Sequence, residues 1–206
     1  MPKAFSLQEK SDIRDALVNA GLKRFGEQGI RATRVDDICK DVGIAKGSFY
    51  NFFPTKEDLF MTLADERDIA HKADMRAWLL ETEGDAVSIA GGFFDFMMER
   101  IETDLVLKIV RDRNEIQHLL RKVSPALMAE NVRRDKRFLH EIAEIFNERF
   151  ALGIDGQTLQ GLMSLMLSLS MQREMISITA DYDGMVKLMR DLFVSRLVRG
   201  AFDDQG

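Results

Sequence analysis

Lys46, Gly47 and Ser48 stand directly ahead of a run rich in rings, Phe49-Tyr50-Asn51-Phe52-Phe53, inside the stretch GIAKGSFYNFFPTKEDLF that begins at Gly43. An ammonium is a point charge with three donors, a hydroxyl and a carboxamide both donate and accept, and a glycine lets another backbone come close. At the start and on the outer face of a short helix, those groups suit phosphate oxygens and the edges of bases. Phe49 and Phe53 lie four apart and suit a packed face, while Tyr50 places its ring inward and its hydroxyl toward a phosphate. Thr33 and Lys56 each read as the beginning of a helix, where unpaired N–H groups attract anions, and both are expected to clamp phosphates.

Other chemistries find no such set. The three histidines, His71, His118 and His140, form no pair at metal-binding helical spacing, and no nucleophile, base and orienting group can be picked out. Cys39 is the one cysteine, which excludes an internal disulfide and a cysteine-rich zinc site. Asp181-Tyr182-Asp183-Gly184 lacks the later ligands of a calcium loop and reads as a helix cap. We therefore expect no enzyme, no cofactor and no metal.

The elements that must position the cluster are helical. Ser6-Leu7-Gln8-Glu9 has capping-box spacing, Leu17, Ala20, Gly21 and Phe25 recur with helical period, and that first helix is expected to stop between Gly26 and Gly29. Thr33 is the candidate N-cap of a second helix with Val35, Ile38, Cys39 and Val42 on one face, ended by Gly43. A third helix is expected from Ala45 to Phe52. Pro54 breaks the chain, and Thr55-Lys56-Glu57-Asp58 caps a longer helix that carries Leu59, Phe60 and Leu63. The order is helix, tight turn, helix.

Charge separates this segment from the rest. The whole chain of 206 residues has a net charge of −5, yet residues 1–56 hold ten Lys and Arg against seven Asp and Glu, so the acid excess lies beyond them. A basic small unit joined to an acidic larger one is the balance of a nucleic-acid reader attached to a second domain. The composition is 46% hydrophobic and 31% charged with no low-complexity stretch, which fits an ordered globular chain. MPKAFSLQEK has no apolar run of signal-peptide length and no membrane span is evident, so a cytoplasmic, unanchored protein is expected.

Phe25 to Phe60, FGEQGIRATRVDDICKDVGIAKGSFYNFFPTKEDLF, resembles the DNA-binding domain of TetR-type transcriptional regulators. The resemblance rests on the Phe-x-x-x-Gly end of the first helix, Thr-x-x-x-Ile opening the second, Gly-Ile-x-Lys-Gly-Ser-Phe-Tyr, and the Asn-Phe-Phe-Pro-Thr-Lys-Glu-x-Leu close. It implies an all-α fold of about nine helices, with a three-helix helix-turn-helix domain over 1–54 and a larger helical regulatory and dimerisation domain over 55–206. It also implies a ligand-responsive repressor that binds a palindromic double-stranded DNA operator as a homodimer and is released by a small molecule. The alternative is a constitutive DNA-binding protein whose second domain only dimerises. The DNA-binding residues expected on this basis are Thr33, Arg34, Lys46, Gly47, Ser48, Tyr50, Asn51 and Lys56. Two positions depart from the family's pattern. Ala45 stands where Ser or Thr is usual, removing a cap, and Phe52 stands where Tyr or His is usual, removing a polar tip.

The remainder reads as helices over 85–101, 105–120, 124–150, 156–178 and 182–199. Leu162 to Met171 is apolar on nearly every face, with Gly161, Ser164 and Ser168 small enough for a close neighbour, and the resemblance assigns the last two helices to the dimer interface. Trp78, Phe93, Phe94, Phe96 and Met97 are either core or the lining of an apolar pocket. Asn114, His118 and Gln172 are the polar groups that could orient a small molecule there.

Overall fold

Ser6 caps the first helix as its spacing predicts: its hydroxyl accepts from Glu9 N–H at 3.2 Å while the Glu9 carboxylate accepts from Ser6 N–H at 2.7 Å. The computed structural model describes residues 6–123 and 125–198, and among these there are eleven helices and no strand. They are α1 (Leu7–Ala32), α2 (Val35–Val42), α3 (Lys46–Phe49), α4 (Lys56–Glu81), α5 (Ala86–Thr103), α6 (Leu105–Arg111), α7 (Arg113–Lys122), α8 (Pro125–Phe150), α9 (Gly156–Met171), α10 (Arg173–Thr179) and α11 (Tyr182–Val198).

Two breaks raise the count above the nine expected. Asp112 interrupts the stretch 105–120: its carboxylate accepts from the N–H groups of Asn114 and Glu115 and starts α7 afresh. Gln172 leaves helical geometry at ψ 11° and separates α9 from α10, so the expected helix over 156–178 is two. The expected start at Ser124 and end at Arg199 fall outside the described residues.

Contacts group the chain differently from the expected 1–54 and 55–206 division. One compact unit takes in residues 6–70 and 105–123, and the other takes in 71–104 and 125–198. The cause in the first unit is packing of α6 and α7 onto α1. Leu105 lies so close to Gly26 that a Cβ there would come within 2.7 Å of its Cδ2, and Leu59 closes on Gly21 in the same way at 2.9 Å. Leu17, Phe25, Ile38, Phe49, Leu59 and Phe60 make the core, with Phe25 and Phe60 edge to face at 5.6 Å.

In the second unit α5 packs on α11 and α8 on α9. Phe93 is its centre, edge to face with Phe146 at 5.4 Å and stacked on Phe193 at 6.3 Å, while Phe94 meets Phe193 at 5.5 Å. α9 is covered on one side only. Leu162, Met166 and Leu169 are buried, whereas Leu165 and Leu167 are exposed, as are Leu188 and Leu192 on α11. No described helix is long and apolar enough to cross a membrane.

Candidate nucleic-acid interface

Gly43 makes the turn between α2 and α3. It sits at φ 77°, ψ 28°, the left-handed region that glycine enters without a Cβ penalty, and its N–H and that of Ile44 both donate to Cys39 O at 2.9 and 3.0 Å. The chain then re-enters helix at Lys46 with no side-chain cap from Ala45, as the missing hydroxyl foretold. α3 is shorter than the expected 45–52. After Phe49 the bonds tighten to three-residue spacing, Asn51 N–H to Ser48 O at 3.1 Å and Phe52 N–H to Phe49 O at 2.9 Å, because Pro54 forbids continuation and biases Phe53 toward extended backbone.

This short segment has two faces. Phe49 and Phe53 are buried, 5.9 Å apart, and Phe49 also meets the Tyr50 ring edge on at 5.4 Å. Arg14 of α1 lies over the Phe53 ring at 5.8 Å. Lys46, Gly47, Tyr50 and Asn51 are exposed and Ser48 is half-buried, with 51% of Tyr50 accessible although its ring packs at one edge. A Cβ added at Gly47 would meet nothing within 4 Å, so nothing inside the chain requires glycine there.

α2 is held against α1 by a bidentate pair, Arg24 Nε and Nη2 to the two Asp41 oxygens at 2.6 and 2.7 Å. The guanidinium keeps the Asp41 carboxyl below its ordinary range. Lys46 Nζ lies 3.0 Å from Asp36 Oδ2, and that bond raises the lysine above its ordinary value and keeps it an ammonium. The sequence reading missed this pair, although a ten-residue separation across a tight turn is compatible with it.

The two residues expected to clamp phosphates, Thr33 and Lys56, are bonded to backbone carbonyls in the free chain. Thr33 is buried and does not cap α2: Arg34 is the N-cap, without a side-chain bond, and the Thr33 hydroxyl donates back to Gly29 O at 2.6 Å. The cause is the kink at Gly29, φ 79°, which frees that carbonyl from helical pairing. Lys56 is spent in the same junction, donating to Arg31 O at 3.0 Å and to Thr33 O at 2.8 Å. Arg34 is exposed beside them.

The expected small-molecule residues do not form one set. Phe93, Phe94 and Met97 are buried in the aromatic core of the second unit, and Trp78 stacks on Phe96 at 5.8 Å. Asn114 and His118 belong to α7 in the first unit, where His118 Nε2 bonds the buried Glu57 carboxylate at 2.7 Å. Gln172 is exposed at the break between α9 and α10. Among the described residues no cluster of three metal-ligating side chains occurs.

Residues 17–63 match the family described as "Bacterial regulatory proteins, tetR family". The uncharacterised HTH-type transcriptional regulator YuxN of Bacillus subtilis is 33% identical over 80 residues, 39% of this chain and 26% of that protein. The HTH-type transcriptional repressor KstR2 of Rhodococcus jostii is 40% identical over 58 residues, 28% of each chain. The chain thus spans about a quarter of the length of these relatives. The transcriptional regulator FadR of Bacillus subtilis, solved in complex with stearoyl-CoA, superposes with a TM-score of 0.63 at 20% identity over 88% of this chain and 97% of that one, which extends the shared fold through the second unit. The similarity in sequence is thus to the helix-turn-helix segment of tetR-family regulators, and the similarity in structure is of the all-helical fold as a whole.

Proposed function

We propose that this chain, with its tetR-family N-terminal helices, is a sequence-specific DNA-binding transcriptional regulator that acts in the cytoplasm as a homodimer on a palindromic operator and represses until a small molecule releases it. The observation that carries the reading is the division of the 46–53 segment: Phe49 and Phe53 fix it to the core while Lys46, Gly47, Tyr50 and Asn51 stay open to a groove. Arg34 and Ser48 complete the contacting set, with the charge addressing phosphate and the hydroxyl and amide addressing phosphate or base edges.

The dimer reading rests on the uncovered side of α9 and α11. Leu165 and Leu192 line a groove of about 440 Å³ with Gly161 and Leu162, and Leu188 is exposed four residues before Leu192 on α11. Gly161 has nothing within 4 Å of a Cβ position, which leaves room for a second copy's helix to approach. The close packing of Phe93, Phe94, Phe146 and Phe193 favours the second reading, a constitutive DNA-binding protein whose larger unit only dimerises.

Selection of bound duplexes from random DNA tests the proposal. An enriched inverted repeat, with half-sites spaced by about one helical turn of 34 Å, is the expected result. Enrichment of no sequence at all sinks it. A thermal-shift screen followed by operator titration separates the two readings, since release by any stabilising compound requires linkage between the sites.

A further inference from the structure

Asn114, Gln117, His118 and Arg121 fall at positions i, i+3, i+4 and i+7 of α7, the spacing that normally carries a helix's apolar stripe. Here that stripe is two amides, an imidazole and a guanidinium. With Arg31, from the turn that ends α1, these four line a cleft of about 180 Å³ inside the first unit. No carboxylate lines it.

The nearby acids are already engaged. Glu115 Oε2 accepts from the N–H groups of Ile30 and Arg31 at 2.9 and 3.1 Å, capping the turn that follows the Gly29 kink. Glu57 Oε1 is paired with His118 Nε2 at 2.7 Å. Among the described residues the side chains of Arg31, Asn114, Gln117 and Arg121 make no hydrogen bond or ion pair. Two forked guanidiniums and two amides thus face one space with donors unspent, an arrangement suited to a tetrahedral oxyanion.

We propose that this cleft binds a phosphate group. The volume is below the roughly 300 Å³ at which drug-sized sites begin, so the occupant is a single phosphate or pyrophosphate moiety with any remaining body outside. The position gives occupancy a consequence. Arg31 sits in the turn whose N–H groups are held by Glu115 and whose carbonyls are held by Lys56, directly ahead of α2, so an anion drawing on its side chain loads the entry to the helix-turn-helix. The phosphate has two possible sources, a DNA backbone or a free phosphorylated small molecule. The first source rests on the DNA-binding reading above, and the second does not.

Titration of the full-length protein with pyrophosphate by calorimetry, at constant ionic strength and without DNA, is the first arm. Saturable binding is expected, about tenfold weaker in Arg31→Gln and in Arg121→Gln and lost in the double variant. All three variants should melt with the wild type, because both arginines are exposed. The second arm measures operator affinity against salt. If the source is DNA, Arg121→Gln reduces the slope of log K against log salt by about one per subunit and pyrophosphate competes with the duplex. If the source is a free ligand, the slope is unchanged and pyrophosphate binds the protein–DNA complex too. Absence of pyrophosphate binding together with an unchanged slope overturns the proposal, and it does so without touching the DNA-binding reading, which the random-duplex selection decides.

Discussion

Lys46 Nζ is bonded to Asp36 Oδ2 at 3.0 Å, so the cation at the head of α3 is tethered to an acid in the first turn of α2. Both side chains are about half exposed, so the pair adds little to stability, but it sets the charge that the segment shows to a duplex. Removing the acid without changing its shape should release that charge. Asp36→Asn is expected to tighten binding to specific and scrambled duplexes alike and to steepen the salt dependence, while Lys46→Ala should shift the preferred base at one position per half-site at about 1–3 kcal/mol on the best duplex. Filter or fluorescence titration at several salt concentrations reads both. Weaker binding by Asp36→Asn would mean that the acid positions Lys46 instead of restraining it.

Tyr182 supplies a pH signature in the second unit. Its hydroxyl donates to Glu102 Oε1 at 2.9 Å, and burial first, then that bond, pushes the phenol up to about 12. An acid whose folded value is raised keeps its proton in the native state after the unfolded chain has lost it. The stability it contributes is therefore complete below the ordinary value near 10 and disappears as pH rises from there toward 12. Thermal melts of Tyr182→Phe should fall less steeply across that interval than wild type. Parallel curves for the two proteins would show that the phenol is not the group responsible.

Leu188 and Leu192 are 65% and 64% exposed on α11 in the single chain, and Leu165, which lines one groove with Leu192, is 53% exposed on α9. Covering such a side chain is worth about 1.5–3 kcal/mol, and a two-fold axis counts each one twice. Leu188→Glu should accordingly yield a monomer at micromolar concentration by sedimentation velocity, with operator binding lost in step. A variant that stays dimeric would place the interface elsewhere on the molecule.

Most of the helical order was legible in sequence because it rests on short-range rules. Ser6 and Glu9 announce a cap, Gly43 announces a left-handed turn, and the period of Val35, Ile38, Cys39 and Val42 announces α2. The buried face of the 46–53 segment followed from the four-residue spacing of Phe49 and Phe53. What escaped depends on groups far apart in the chain. The capture of the Ile30 and Arg31 N–H groups by Glu115 spans more than eighty residues and leaves no local mark. Thr33 was misread because a threonine ahead of a helix is a cap by frequency, and only the Gly29 kink turns its hydroxyl the other way. Of the residues read as either core or pocket lining, Phe93, Phe94 and Met97 are buried while Trp78 and Phe96 are half-buried, a division that composition does not reveal.

Lys56 and Arg34 separate holding from touching. Lys56 gives two of its three donors to the carbonyls of Arg31 and Thr33, so its loss leaves two partly covered acceptors at the entry to α2. Hydrogen bonds to a charged donor contribute roughly 1.5–3 kcal/mol, and solvent access at this junction sets the cost at the lower end. Lys56→Met should thus lower the melting temperature and weaken every duplex through a disordered junction, with the salt slope of the folded fraction nearly intact. Arg34 is exposed at the N-cap of α2 and bears no capping bond, so Arg34→Ala should leave the melt alone and reduce the slope by about one per subunit. Differential scanning calorimetry alongside salt-dependent titration resolves the two effects. If Lys56→Met keeps its melting temperature and loses the slope instead, the ammonium leaves its carbonyls for a phosphate when DNA arrives, and the junction seen in the free chain is a resting state of the clamp.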